Sequence, residues 1–271
     1  MKEVRVDVVI LTKNSLAPCL KECLDSMYAN IPVNRLIVVD GGSTDKTIDL
    51  IQKYPKTEII DDSHGNRATA RQKGIEAAET TWHLHVDSDV ILCKDWFKKA
   101  QTHMLPDIGA IWGVAIPRDQ HVFNIAKAMA KLYRKDVVEW IMQQQHLKRY
   151  LTHDTLIRTE AVKDIKIPAD LHIWEDHYIG NHVVAKNYKW IKTRDPYCIH
   201  YFHERRGFED FVNSGRLARK IRAYTNHQVL LRLGLAIPKS LWIVVATRDF
   251  KASKLQLENY IGLAKGWYGS L

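Results

Sequence analysis

The sequence predicts an α/β protein in which a parallel sheet is flanked by helices. Over residues 1–90, short apolar runs rich in β-branched residues alternate with segments of helical periodicity. Strands that alternate with helices in this way pair in parallel through right-handed crossovers. The chain has 271 residues, of which 46% are hydrophobic. This is enough apolar material for one large domain, or for one domain with a substantial appendage.

The first half of the chain supplies the clearest elements. Its strands are predicted at residues 4–11, 36–39, 58–60 and 82–86. Its helices are predicted at residues 15–29, 46–53 and 66–79. In the first of these helices, apolar residues recur on one side at helical spacing: Leu16, Leu20, Leu24 and Met27. Asn66 has a side chain that commonly caps the start of a helix.

The second half is less regular. Strands are predicted at 108–116, at 156–157 and within 190–200. A long helical stretch is predicted at 122–149 and a shorter helix at 174–185. From about residue 208 the pattern is helical and is interrupted by Pro238. The chain therefore ends in a helical extension.

The charge balance is basic, with a net charge of +9 at pH 7. Such a balance favours anionic partners, which include nucleotide diphosphates, nucleic acid and an acidic membrane surface. The excess is marked at residues 205–222, where six basic residues face only Glu209 and Asp210. A solvated helix face and an anion-binding segment are both consistent with this run.

The cysteines and the N-terminus bear on the cellular compartment. Cys19, Cys23, Cys93 and Cys198 contain no CxxC pair, so they predict buried thiols in a reducing compartment and not a zinc site. The N-terminal apolar run is too short and too interrupted for a signal peptide. We therefore expect a cytoplasmic protein. The most apolar later stretch, residues 229–247, is interrupted by Arg232 and Lys239.

Polar side chains follow three of the predicted strands at the point where each strand ends. Thr12 and Asn14 follow the first strand, Asp40 follows the second, and Asp87-Ser88-Asp89 follows the fourth. In open α/β sheets, ligands bind beyond the carboxyl ends of the strands. The sequence therefore predicts a ligand site at this edge of the sheet.

Asp87-Ser88-Asp89 is the most informative of these segments. Alternate carboxylates at a strand end can share one divalent cation and a neighbouring ribose, and Mg²⁺ and Mn²⁺ both prefer oxygen ligands. A solvated turn is the usual explanation of an isolated Asp-X-Asp pattern. Here the buried strand at 82–86 holds the pattern in place. Asp40 could accept hydrogen bonds from a base or a ribose, or it could be an ordinary turn residue before Gly41 and Gly42.

Four segments together resemble the family-two, inverting glycosyltransferases of the GT-A fold. They are VVILTKNS at 8–15, LIVVDGGSTDKT at 36–47, ATARQKGIEAA at 68–78 and HLHVDSDV at 83–90. Their order and spacing also resemble the family, over about residues 4–205. The sequence departs from the family at Gly41, where many members carry a second Asp, whereas Asp40 keeps the first position.

The resemblance implies a GT-A catalytic domain at 1–205. Its nucleotide-sugar half is expected at 1–115 and its acceptor half at 116–205, followed by a helical basic and apolar extension at 206–271. Thr12 and Asn14 are expected to line the nucleotide pocket and Asp40 to contact the base. Arg71 is expected near the base or diphosphate, with an exposed helix charge as the alternative.

The resemblance also implies the reacting and metal-binding groups. Asp87 is expected to bind ribose or metal, and Asp89 is expected to be the principal ligand of Mn²⁺ or Mg²⁺. Asp176 matches the position of the general base, with Glu175 as the second candidate; helix N-terminal carboxylates without catalytic function are the alternative. His200 is the first candidate to complete the metal site and His203 the second.

The C-terminal extension has two interpretations. In one, Arg205 and Arg206 open a mobile basic segment over the diphosphate, and the later helices contact the cytoplasmic face of a membrane as a peripheral protein. In the other, these helices pack on the catalytic domain or on a dimer partner. Relatives that use lipid-linked acceptors favour the first interpretation by analogy.

The leading hypothesis is an inverting glycosyltransferase. It would transfer a sugar from a UDP-sugar, or next from GDP-mannose, to a hydroxyl of a glycan or a lipid-linked glycan. A sugar-phosphate nucleotidyltransferase is a second hypothesis, although the segment LTKNSLAP lacks the glycine-rich loop of such enzymes. A nucleic-acid-binding protein is a third, but no recognised DNA- or RNA-binding motif is present. A non-catalytic nucleotide-binding protein is a fourth. We expect no nucleic-acid partner.

Overall fold

The computed structural model describes residues 4–201 and 207–269, with the backbone alone for 144–148. The strands β1–β8 are Val6–Thr12, Val33–Asp40, Thr57–Asp61, Trp82–Asp87, Val90–Leu92, Ile108–Pro117, Asp154–Arg158 and Lys189–His200. The helices α1–α7 are Leu20–Asn30, Thr47–Ile51, Arg67–Ala77, Trp96–Gln101, Gln120–Leu132, Val137–Lys148 and Glu175–Ala185. The helices α8–α11 are Phe208–Lys220, Asn226–Gly234, Ala236–Thr247 and Phe250–Tyr268.

The strands form one mixed sheet in the order β3-β2-β1-β4-β7-β6-β8-β5. The pairs β3–β2, β2–β1 and β1–β4 are parallel, as predicted. The pairs β4–β7, β7–β6 and β8–β5 are antiparallel, a direction that the sequence did not predict for this half. The physical reason is that an apolar strand pattern is the same in both directions. Direction is set by how the connections cross the sheet, which periodicity does not show.

The parallel half forms the centre of the core. Val8, Val9 and Ile10 of β1 are fully buried, because α1 covers one face of the sheet and α3 the other. A strand covered on both faces reads as an uninterrupted apolar run. This burial fixes the position of each strand end, and with it the polar residues that follow.

A buried carboxylate, Asp7, joins three segments near the amino end of β1. It accepts hydrogen bonds from Asn34 Nδ2 at 2.8 Å, from Arg35 Nη2 at 3.0 Å and from the backbone N–H of Glu79 at 2.8 Å. Burial acts to raise the pKa of Asp7, but these donors and the charge of Arg35 outweigh it and lower the pKa. Asp7 therefore ties the start of β1 to β2 and to the connection before β4.

Several predicted boundaries differ from the structure. The helix predicted at 15–29 begins at Leu20. The stretch predicted at 122–149 divides into α5 and α6, because Arg134 adopts φ 52° and Asp136 caps a new helix through the N–H of Glu139. Helix α4 and strand β5 were not predicted. Both are short, and a short apolar run carries little periodicity.

The chain divides into two compact units. Within the described residues, one unit comprises 4–116 and 150–201, and the other comprises 117–149 and 207–269. In the second unit α8 packs closely on α11, where a Cβ at Gly266 would lie 1.8 Å from the carbonyl oxygen of Val212. Helices α5 and α6 therefore group with the C-terminal helices. The functional division into 1–205 and 206–271 stays a prediction.

No single helix in the described part of the chain is long and apolar enough to cross a membrane. Helices α9 and α10 reach the required length and composition only as a pair, and the pair is bent by 45°.

We expect Asp7→Asn to lower the free energy of unfolding by about 3 kcal/mol at pH 7, because Arg35 and the backbone N–H groups of Glu79 and Thr80 lose a buried charged acceptor. The pKa of Asp7 is lowered in the folded state, so its contribution is present above the unfolded value and is lost as the pH falls. The difference between the wild type and the variant should therefore shrink below about pH 4. Urea unfolding at several pH values measures this.

The matched control is Asp25→Asn, which removes a carboxylate from an exposed pair with Lys21. Exposed pairs contribute about 0–1 kcal/mol, so this variant should stay close to the wild type. Equal losses in the two variants would contradict the role assigned to Asp7.

Candidate active site

The polar ends of the parallel strands meet at one edge of the sheet, as predicted. In the strand register Thr12 lies opposite Asp40, and Leu11 lies opposite Asp87. Thr12 is buried, and its Oγ1 donates a hydrogen bond to Asp40 Oδ1 at 2.8 Å. The carboxyl ends of β1, β2 and β4 therefore present hydroxyl and carboxylate groups side by side.

Asp40 organises the loop that follows β2. Its Oδ1 accepts from Thr12 Oγ1 and from Ser43 Oγ at 2.6 Å, and its Oδ2 accepts from the N–H groups of Gly42 and Ser43 at 3.0 and 2.7 Å. A carboxylate offers about four lone-pair sites, so these four donors occupy it. The contact with a base predicted for Asp40 stays a prediction, and it would require one of these bonds to be exchanged.

Asn14 joins the loops after β1 and β2. Its backbone adopts φ 50°, a left-handed conformation that asparagine tolerates. Its N–H donates to Ser43 Oγ at 2.9 Å, and its Oδ1 accepts from the N–H of Thr44 at 2.8 Å. The two loops are therefore one connected wall. The structure shows this scaffold for Thr12 and Asn14, and their contact with a nucleotide stays a prediction.

Arg71 lies on the inner face of α3, so the alternative of an exposed helix charge is wrong. Its side chain is only 4% exposed, because Ala68, Arg71 and Ile75 recur on the buried side of the helix. Nη2 donates to Asp87 Oδ1 at 2.5 Å, and Nη1 lies 3.1 Å from His85 Nδ1. Arg71 therefore supports Asp87 from behind. Its predicted contact with the base or diphosphate is untested.

The surroundings of Asp87 keep its carboxyl group ionised. Burial acts to raise the pKa of Asp87, but the charge and hydrogen bond of Arg71, together with electrostatic interactions with the His200 and His153 rings, outweigh this effect and lower the pKa. Asp87 is consequently an anion at neutral pH, oriented by Arg71. An ionised, oriented carboxylate can bind a cation or accept hydrogen bonds from hydroxyl groups.

Asp87, Asp89 and His200 form a cluster that could hold a metal ion. One potential ligand atom from each lies within 4.8 Å of the others, and His200 Nε2 is 3.2 Å from Asp89 Oδ1. Two carboxylates and one imidazole form a mixed oxygen and nitrogen donor set that suits Mn²⁺ better than Mg²⁺. The residues present therefore fit a divalent cation. The second candidate, His203, lies outside the described residues.

Strand β5 brings His200 to the acidic pair. Immediately after Asp89, β5 pairs antiparallel with β8 and places Val90 opposite His200. The N–H of Tyr201 also donates to the carbonyl oxygen of Asp89 at 2.8 Å. The short strand β5 thus brings Asp89 and His200 together, although they are far apart in the sequence. The apolar run Val90-Ile91-Leu92 is the feature of the sequence that could have predicted this strand.

His153 is a neighbour of the site that the sequence analysis missed. Its carbonyl oxygen accepts from the N–H of Asp87 at 3.0 Å, and its ring centroid lies 5.4 Å from that of His200. Its Nδ1 is 2.8 Å from Asp154 Oδ1, and Trp112 Nε1 donates to the ring. Burial raises the pKa of Asp154 despite these contacts. No spacing in the sequence distinguishes His153, because its partners come from four different strands.

Glu175 and Asp176 occupy the first turn of α7, as predicted. Both are buried, and Asp176 Oδ1 accepts from the N–H of His177 at 2.7 Å. Trp174, which precedes them, is 2% exposed and contacts His177 edge-on. Trp174 is therefore a core residue in this structure. The choice between general bases and carboxylates that favour the helix dipole remains open at this point.

Comparison with known proteins agrees with this architecture. The family model described as glycosyl transferase family 2 matches residues 7–166. Among curated relatives, the N-acetylglucosaminyltransferase of Azorhizobium caulinodans is 32% identical over 127 residues, which are 43% of this chain and 32% of that protein. The glycosyltransferase SunS from the SPbeta prophage of Bacillus subtilis is 36% identical over 78 residues, 28% of this chain and 18% of that protein. The matches therefore span about a third or less of these relatives.

Solved structures show the same fold. The mannosyltransferase PcManGT from Pyrobaculum calidifontis, in complex with GDP-Man and Mn²⁺, aligns with a TM-score of 0.65 and 18% identity over 98% of this chain and 88% of that chain. TarS 1–349 from S. aureus, in complex with UDP, aligns with a TM-score of 0.57 and 19% identity over 98% and 73%. At these identities the similarity establishes the fold alone.

The family model covers more than half of the chain, and the mixed sheet flanked by helices is that of the GT-A neighbours. The chain therefore belongs to glycosyl transferase family 2 and has the GT-A fold.

Proposed function

We propose that this protein is a metal-dependent, inverting glycosyltransferase that transfers a sugar from a nucleotide-diphosphate sugar to a hydroxyl group. The observation that carries the proposal is the convergence of Asp87, Asp89 and His200 at the carboxyl edge of the sheet. In a chain of this family, such a donor set is suited to holding the cation that binds a diphosphate.

Asp89 and His200 are proposed to hold Mn²⁺ or Mg²⁺, with Asp87 dividing its contacts between the metal and the ribose. The bound cation would neutralise negative charge on the departing diphosphate. The chain contributes the orientation of the ligands. Arg71 fixes the Asp87 carboxylate from inside the fold, and the β5–β8 pairing fixes His200. Ligands held in this way lose little freedom when the cation binds.

The loop wall of Thr12, Asn14 and Asp40 is proposed to receive the nucleoside. A uridine donor is the first candidate and GDP-mannose the next. The solved neighbours support both, since TarS was solved with UDP and with UDP-GlcNAc, and PcManGT with GDP-Man. The acceptor is proposed to be a glycan or a lipid-linked glycan.

For the transfer step we assign the general base to Asp176, with Glu175 as the second candidate. The base takes the proton of the acceptor hydroxyl, whose oxygen forms a bond to the anomeric carbon as the bond to the diphosphate breaks on the opposite side. The proton remains on the carboxyl group and the electron pair leaves with the diphosphate. The geometry that supports the assignment is the pair of buried carboxylates at the start of α7.

The proposed compartment is the cytoplasm. Its support is that all four cysteines are free and buried, although Cys19, at the N-cap of α1, lies only four residues before Cys23. Free thiols persist in a reducing compartment.

The donor class can be identified by thermal shift. A ligand that binds only the folded state raises the melting temperature by mass action, so UDP or GDP should raise it in the presence of Mn²⁺ and much less in EDTA. At a ligand concentration of 100 times Kd the stabilisation is about 2.7 kcal/mol. CMP and ADP serve as controls for a general effect of anions. Equal shifts for all four nucleotides would contradict a specific nucleoside site.

We expect Asp89→Ala to reduce kcat/KM by at least about 1,000-fold, because the principal metal ligand and its charge are lost. Isothermal titration with Mn²⁺ plus nucleotide should show that metal-dependent binding is lost as well. The matched control is Asp107→Ala, which removes an exposed carboxylate that pairs with Lys189 on the surface. Turnover retained in Asp89→Ala would overturn the metal assignment.

We expect Asp176→Asn to lower kcat by about 10²–10⁴-fold while the metal-dependent nucleotide shift persists, because the substitution removes the proton acceptor and not the donor site. Steady-state kinetics and the thermal shift together provide the measurement. Glu175→Gln is the comparison: if that variant loses turnover and Asp176→Asn does not, the base is Glu175. Normal rates in both variants would exclude this pair.

A further inference from the structure

Helices α9 and α10 expose apolar side chains to solvent. Along α10, Ile237, Leu241 and Val245 recur every four residues, and they are 64%, 63% and 74% exposed. Residues at this spacing lie on one face of a helix. Other large apolar side chains are exposed on α9 and at the start of α11. We call the whole set the apolar stripe: Leu230, Leu231, Leu233, Ile237, Leu241, Val245 and Phe250.

The other face of α10 is already packed. Ala236, Ser240 and Ile243 are buried, and Trp242 Nε1 donates to the carbonyl oxygen of Ala128 in α5 at 2.7 Å. Helix α10 therefore has apolar residues on both faces: Ile243 packs inside the unit, whereas Ile237, Leu241 and Val245 face solvent. A helix that packs only on its own domain normally turns polar residues to solvent. An exposed apolar helix face of this kind marks a site of interaction.

The surroundings of the stripe are cationic. Residues 226–254 contain five basic side chains: Arg232, Lys239, Arg248, Lys251 and Lys254. Asp249 is the one acidic residue in that range, and its carboxylate accepts hydrogen bonds from Asn124 and from the N–H of Ala252, and contacts His121. Asp249 is therefore engaged inside the unit. Just beyond this range Glu258 pairs with Lys254 at 3.7 Å, and Arg248 and Lys251 are exposed beside the stripe.

We propose that the apolar stripe binds the surface of an anionic lipid bilayer, with the basic residues beside it contacting the headgroups. Apolar side chains on one face and Lys and Arg around them are the features of helices that lie in the interface plane. Each cation near an anionic surface adds to the attraction. This inference does not depend on the proposed sugar transfer, since it rests on the helical unit alone.

Two other arrangements fit the observations less well. Crossing the bilayer would require α9 and α10 to straighten their 45° bend, to detach from α5 and to bury Arg232 and Lys239. Pairing with a second copy of the chain would bring two sets of five cations together, and like charges across an interface oppose association. Lipid headgroups of negative charge satisfy both the stripe and the cations.

Vesicle flotation with the full chain tests the proposal. The wild type should float with vesicles of phosphatidylcholine mixed with phosphatidylglycerol, and much less with phosphatidylcholine alone or in high salt. The variant Leu241→Ser, Val245→Ser should reduce the partition coefficient at least about tenfold, because two side chains no longer enter the apolar layer. The matched control is Leu105→Ser, Ile59→Ser, which alters exposed apolar residues of the other unit.

A second pair of variants tests the charge component. Lys251→Gln, Lys254→Gln should weaken flotation with the anionic vesicles, whereas Lys94→Gln, Lys98→Gln should not. Each variant should have the wild-type melting temperature in the thermal-shift assay, and this result would show that the variant is folded.

Three results would overturn the proposal: no flotation of the wild type, equal flotation of the stripe variant, or a dimer seen by light scattering that Leu241→Ser, Val245→Ser dissociates. The last result would identify the stripe as a contact between copies. The nucleotide-dependent thermal shift is measured on the same samples, so loss of membrane binding and loss of the donor site are distinguished.

Discussion

The candidate site depends on the buried contact between Arg71 and Asp87. A guanidinium group that is almost fully removed from water needs an anionic partner, because an unpaired buried charge is costly. Asp87 supplies that partner, and in return its carboxylate is kept ionised and held in one orientation. The same ion pair therefore holds helix α3 against the sheet and orients the carboxylate of the candidate cation site. Any change to Arg71 acts on both.

The remaining geometry follows from two kinds of strand pairing. Parallel pairing aligns the carboxyl ends of β1, β2 and β4, which brings the Thr12–Asp40 contact and Asp87 to one edge. Antiparallel pairing of β5 with β8 then brings His200 back to Asp89. The first arrangement assembles the loops suited to a nucleoside, and the second completes a donor set suited to a metal. The mixed sheet thus brings the two sets of residues together at Asp87 and Asp89.

The helical unit presents a different balance of forces. Its interior contacts use small residues, as at Gly215 and Gly266 between α8 and α11, so helix backbones approach closely. On α10, Ile243 packs inside the unit while Ile237, Leu241 and Val245 remain exposed. Basic side chains therefore occur in two settings: Arg71 is buried and orients the Asp87 carboxylate, whereas Arg248 and Lys251 are exposed beside the apolar stripe.

The sequence by itself determined the α/β class, the positions of the first four strands and the acidic residues at their ends. These features are local, because a buried strand is an apolar run and the residue that follows it is visible in the chain. The sequence also identified Asp87, Asp89 and His200 as partners through resemblance to a family. Tertiary structure alone decided that the second half of the sheet is antiparallel and that Arg71 points inward to Asp87. It likewise decided that Thr12 of β1 donates to the Asp40 carboxylate, and that the His153 ring lies beside that of His200. Each of these depends on contacts between segments distant in sequence, and neither residue type nor periodicity records which segments meet.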